Sequence, residues 1–128
     1  MRVVQELVAY FDTRGQLSKR RLRTLLDKSR IAADGPTNMH GLCETVGATF
    51  YFRITGVAEG QVWGTDTYTR DSILGAAAVH SGLLKVGETA VLRVKVVPPP
   101  DSYLGTTRNG VTTSDYGTFP HAWTLSAI

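Results

Sequence analysis

Residues 71–83 read DSILGAAAVHSGL, a stretch that is apolar on nearly every side when wound as a helix. Such a helix has to be buried on most sides, because no face of it suits water. Its centre, Gly75-Ala76-Ala77-Ala78, carries so little side chain that neighbouring backbone can come close to the helix axis. The rest of the chain must therefore enclose it. Asp71 or Ser72 is suited to cap its start, and Gly82 to end it in the left-handed conformation. A chain of 128 residues is long enough to bury such an element in one domain.

The enclosing material reads as strand. Phe50, Phe52 and Ile54 alternate with Tyr51 and Arg53, and Ala90, Leu92, Val94 and Val96 alternate with Arg93 and Lys95. Val62-Trp63-Gly64 suggests a second short strand, and Pro98-Pro99-Pro100 stops the later one. The tail sets Gly and Thr turns around Tyr103, Tyr116, Phe119 and Trp123. Upstream the period changes to that of a helix. Val4, Leu7, Val8 and Phe11 make one apolar stripe, residues 12–15 read as a turn, and Ser18 is a good N-cap. Leu17 and Leu22 have the spacing of a hydrophobic staple, and Leu25 and Leu26 continue the stripe. The expectation is an α+β fold: a basic helical hairpin over residues 1–33, a linker over 34–46, and a domain over 47–128 with a central buried helix wrapped by strands.

Charge is unevenly spread. Residues 1–35 hold eight Lys or Arg against four Asp or Glu, whereas the remainder holds six against seven. The net charge of +3 thus belongs to the N-terminal segment. Arg20, Arg21 and Arg23 head the basic face there and are the candidates for contacting a partner. Nothing more specific points to nucleic acid, since neither a phosphate-cradling glycine loop nor an aromatic RNA-binding motif accompanies them. The apolar stripe near the N-terminus is broken by Gln5 and Glu6, unlike a signal peptide, and no stretch is long enough to span a bilayer. A single cysteine, Cys43, cannot form an internal disulfide. The compartment these features imply is the cytoplasm.

Four segments then carry a resemblance. VWGTDTYTRDS (62–72), AAAVHSGLL (76–84), SYLGTTRNGV (102–111) and TSDYGTF (113–119) follow the order and approximate spacing of the LCCL domain. The likeness covers about residues 47–125. It implies a helix wrapped by β-strands and an accessory, non-catalytic module, with carbohydrate or lipopolysaccharide among the ligands proposed for the family. Extracellular members carry paired cysteines, one of them early in the helix, where Gly75 stands here. The chain is thus similar to a disulfide-free, bacterial-type version, and an extracellular setting is the alternative location that the resemblance implies.

His80 is the first residue that can carry chemistry. It is either a ligand contact or general base, or a core histidine locking strands to the helix. Asp71 and Ser72 cannot complete a triad with it along the helix, since eight or nine residues at 1.5 Å each separate the groups by roughly 12–14 Å. Asp115 or His121 could reach His80 only through folding, which leaves a hydrolase as the third functional alternative. His40, His80, His121 and Cys43 lack metal-ligand spacing, so neither a metal nor another cofactor is expected. Asn109-Gly110 favours a tight turn that presents Arg108 beside aromatic residues. The expected ligand-binding surface is therefore Tyr68, His80, Tyr103, Arg108, Asn109 and Tyr116. The function this supports is a non-catalytic interaction module, an intracellular protein–protein adaptor or accessory subunit, with carbohydrate binding as the alternative.

Overall fold

The structure is a computed structural model and describes residues 32–128. Nine elements follow in order. They are β1 (Ala33–Asp34), β2 (Thr49–Thr55), β3 (Gly64–Thr65), β4 (Thr67–Thr69), α1 (Leu74–His80), β5 (Thr89–Val97), β6 (Thr107–Arg108), β7 (Val111–Thr112) and β8 (Ala122–Ala127). Six strands form one sheet in the order β1-β2-β5-β8-β4-β3, and β6-β7 is a separate hairpin. Apart from β1, which runs parallel to β2, the pairings are antiparallel.

Alternation decides which face of the sheet is core. Strands send successive side chains to opposite faces. Phe52 and Ile54 of β2, Leu92, Val94 and Val96 of β5, and Trp123 of β8 join Leu74, Ala76, Ala77, Ala78 and Val79 of α1 in one buried cluster. The other register, Thr49, Tyr51 and Arg53 against Val91, Arg93 and Lys95, faces away from α1. Glycine sets the distance between α1 and the sheet. A Cβ at Gly75 would stand 2.5 Å from the carbonyl oxygen of Thr55, so only a hydrogen fits there.

The helix ends as a Schellman motif. Gly82 sits at φ 85°, its N–H donates to Val79 O, and Leu83 N donates to Ala78 O. Its start differs from the sequence expectation. The flanking residue is Ile73, without a side-chain cap. Ser72 instead accepts a hydrogen bond from Trp63 N at 2.9 Å, and Asp71 pairs with Arg70.

The expected α+β class has to be corrected. Strand dominates the described residues, and their helix is the single 7-residue α1. The apolar stretch 71–83 reads as one helix, but residues 71–73 and 81–83 flank α1. Ile73 N donates to Gln61 O outside any helix. In the tail, β6, β7 and β8 replace what read as turns around aromatic residues. The expected basic hairpin, with Arg20, Arg21 and Arg23, falls on residues 1–31, which lie outside the described residues. The 34–46 stretch, read as a linker, carries Met39 (0% exposed) and Cys43 (1% exposed) into the core.

Candidate functional site

His80 is 0% exposed, and both of its ring nitrogens are engaged. Nε2 lies 3.2 Å from Thr106 O and 3.0 Å from Thr106 Oγ1, and Nδ1 lies 3.0 Å from the Tyr68 hydroxyl. A carbonyl oxygen only accepts, so Nε2 carries the proton and Nδ1 accepts from Tyr68. Burial favours this neutral ring and holds the His80 pKa below its ordinary value. The same burial pushes the Tyr68 hydroxyl up to about 12, which keeps it a donor. His80 also uses its backbone carbonyl, which accepts from Asn109 Nδ2 at 3.0 Å. One residue thus joins β4, α1, Thr106 just before β6, and the β6–β7 turn.

The other residues expected at a ligand surface are distributed between core and rim. Tyr103 is 3% exposed and donates its hydroxyl to Phe119 O at 2.9 Å. Arg108 is exposed and reaches both carboxylate oxygens of Asp66, at 3.1 and 3.2 Å. Asn109, at φ 53°, and Gly110, at φ 81°, form the two-residue turn between β6 and β7. Tyr116 alone among the expected aromatics is open to solvent, at 47%. Tyr68, His80 and Tyr103 therefore serve the core, while Arg108, Asn109 and Tyr116 reach the surface.

What gathers around Tyr116 is a pocket. Trp63, Thr69, Asp71, Tyr116 and Phe119 line a half-open recess of about 100 Å³. The Tyr116 ring meets Trp63 edge-on at 6.4 Å and Phe119 edge-on at 5.8 Å. Backbone pairing of Tyr103 with Tyr116 and of Trp63 with Ser114 holds the walls. Beside the rings, Arg70 donates from Nε and Nη2 to the two oxygens of Asp71, at 3.0 and 3.2 Å. This fork holds the Asp71 carboxyl below its usual range, with desolvation opposing it and His40, 3.6 Å away, adding to it. The Arg70 guanidinium also stands 5.2 Å over the Phe119 ring. Trp63, Arg70, Asp71 and Phe119 were missed as a group in the sequence. Only the adjacent Arg70-Asp71 pair offered a signal there.

Asp115, His121 and Cys43, outside the pocket, are tied into the fold. Asp115 Oδ1 accepts from Gly105 N, and His121 Nδ1 meets Cys43 O at 3.1 Å. Neither residue is among the His80 partners, so the hydrolase arrangement is not assembled. Cys43 is a free thiol near Ala122 O, and burial pushes its pKa up to about 11. Among the described residues no three His, Cys, Asp or Glu side chains converge as a metal site would require. Among them, too, no helix is long and apolar enough to cross a membrane.

A small β-rich unit with a locked core and one open aromatic pocket has the surface chemistry of a recognition domain. Its sequence matches the family model of the LCCL domain over residues 28–122, and the chain belongs to that family, whose members are non-catalytic binding modules. The match begins well upstream of residue 47, in keeping with the burial of Met39 and Cys43. Among curated proteins, none matches the chain in sequence.

Proposed function

We propose that this LCCL domain binds carbohydrate, including the saccharide of lipopolysaccharide, in the pocket of Trp63, Tyr116 and Phe119. The observation that carries this reading is the open three-ring recess with the Arg70–Asp71 fork at its side. Aromatic walls take the C–H faces of a sugar, and the fork supplies donors and acceptors for its hydroxyls. The test is retention of the full chain on an array of polysaccharides and lipopolysaccharide. Tyr116→Ala is expected to abolish retention with no change in melting temperature. Failure of the parent protein to bind any arrayed glycan removes the proposal.

A second reading rests on different observations. Leu104 is 68% exposed and Tyr116 47%, and Trp, Tyr and Arg are the residues that anchor protein interfaces. Together with a lone reduced thiol, this supports an adaptor or accessory subunit in the cytoplasm. A photo-cross-linking residue in place of Leu104 then captures a defined protein, and Trp63→Ala or Tyr116→Ala prevents it.

A further inference from the structure

The turn between β6 and β7 carries the next inference. Asn109 is followed by Gly110, and both are exposed. The peptide nitrogen that follows an asparagine can attack its side-chain amide, most readily where glycine leaves that nitrogen unshielded. A Cβ at Gly110 would meet no heavy atom beyond its chain neighbours within 4 Å, so the approach is open. The other asparagine, Asn38, precedes Met39, which is 0% exposed. The fold both guards Asn109 and leans on it. With φ 53° at Asn109 and 81° at Gly110, the turn is of type I′. Its dihedrals carry Gly110 N to the far side of the Cα–C bond from the Asn109 side chain, so attack requires the turn to open. The Asn109 Nδ2 donor is also held, 3.0 Å from His80 O. That carbonyl lies in the last turn of α1, past the reach of the helix's own N–H groups. Ser81 N, Leu83 N and Gly82 N answer Ala77 O, Ala78 O and Val79 O, and Asn109 answers His80 O.

We propose that Asn109 is a deamidation site, and that its conversion detaches the β6–β7 hairpin from the end of α1. Gly110 N bonds to Asn109 Cγ and gives up its proton, the Cγ–Nδ2 bond breaks, and Nδ2 leaves as ammonia. The cyclic imide so formed takes up water. Opening at the main-chain carbonyl gives isoaspartate, whose backbone runs through the side chain, and opening at Cγ gives aspartate. Nothing is oxidised or reduced, and water is the only reactant consumed. In either product the donor facing His80 O has become a carboxylate. Oxygens that only accept then oppose each other at the negative end of a helix. The new carboxylate has to turn away, and His80 O loses its partner. Isoaspartate also lengthens the turn, which disturbs the pairing of Arg108 with Val111.

Ageing the full chain in mildly alkaline buffer, with and without denaturant, tests this by peptide mass spectrometry and isoaspartate methyltransferase labelling. Residue 109 is expected to convert while Asn38 stays intact. Conversion should be about tenfold or more slower in the folded chain, as for a group released only by local opening. The converted protein is separated by its added negative charge, refolded and followed by amide hydrogen exchange. Exchange should quicken over residues 107–112 and remain slow over β2 and β5. Asn109→Asp, which carries the carboxylate on an unlengthened backbone, should quicken the same residues to a smaller extent. No conversion of residue 109 in denaturant overturns the proposal, and so does conversion at equal rates in the two states. Unchanged exchange over residues 107–112 in the converted protein overturns it as well. Quickening that spreads to β2 and β5, or failure to refold, does the same, because the effect would then be global and not a release of the hairpin.

Discussion

The Tyr68 hydroxyl donates to Nδ1 of His80 across 3.0 Å, and both side chains are 0% exposed. This bond makes a histidine structural that by position and type could have been catalytic. Removing one partner strands the other, and a stranded buried polar group costs about 1–3 kcal/mol. Tyr68→Phe is therefore expected to destabilise the fold by about 1–2 kcal/mol. His80→Ala adds a cavity to two orphaned partners and is expected to cost about 3–4 kcal/mol. Urea denaturation of the two variants checks both values and their order.

The same lock predicts a pH dependence. Burial lowers the His80 pKa from its ordinary 6.5, so below pH 6.5 the unfolded chain takes up a proton that the native chain refuses. Stability is then fully present above 6.5 and falls with pH from there down to the native value. Thermal melts of the parent should show this loss, and His80→Gln should flatten that part of the profile. A parent profile as flat as that of His80→Gln counts against the neutral, locked ring.

Gly75→Ala sets two effects against each other. Alanine is favoured over glycine inside a helix by about 1 kcal/mol. Its Cβ, however, would lie 2.5 Å from Thr55 O, and forcing helix and sheet apart costs about 1–3 kcal/mol. A net loss of up to about 2 kcal/mol is expected, against the helix propensity, and differential scanning calorimetry reads its sign.

The β6–β7 hairpin separates turn chemistry from charge. Arg108 and Asp66 form an exposed pair, so Arg108→Ala should change stability by less than about 0.5 kcal/mol. Asn109→Ala loses both a residue suited to φ 53° and the hydrogen bond to His80 O, and should cost about 1–2 kcal/mol. Parallel denaturant titrations test the contrast.

Cys43 should resist thiol reagents. With its thiol pushed up to about 11 and 1% of the residue exposed, it holds almost no thiolate at neutral pH. Colorimetric titration should find one thiol only after unfolding, and reductant should leave the melting temperature unchanged.

Local pattern made the long elements readable and hid the site. β2 and β5 announced themselves because hydrophobic alternation is itself the consequence of one face being buried. α1 read too long, since the flanking residues 71–73 and 81–83 carry no pattern that separates them from the short helix between them. β6, β7 and β3 are two residues each, below any period, and exist through the strands they pair with, β7, β6 and β4 in turn. The pocket is of that second kind. Trp63, Arg70 and Phe119 meet only because Ser72 ties down Trp63 N and Tyr103 pairs with Tyr116. Tyr68 and Tyr103 were taken for surface aromatics for the same reason, as only the folded sheet covers them.

β8 lies between β5 and β4, with Trp123 paired to Val96 on one side and Tyr68 on the other. The strand that joins the two halves of the sheet is thus drawn from residues 122–127. Until it arrives, β2–β5 and β3–β4 each present a bare edge, and α1 has only part of its floor. Closing contacts so distant in sequence is slow. The domain should form late and all at once, with a vulnerable interval of exposed edges on the way.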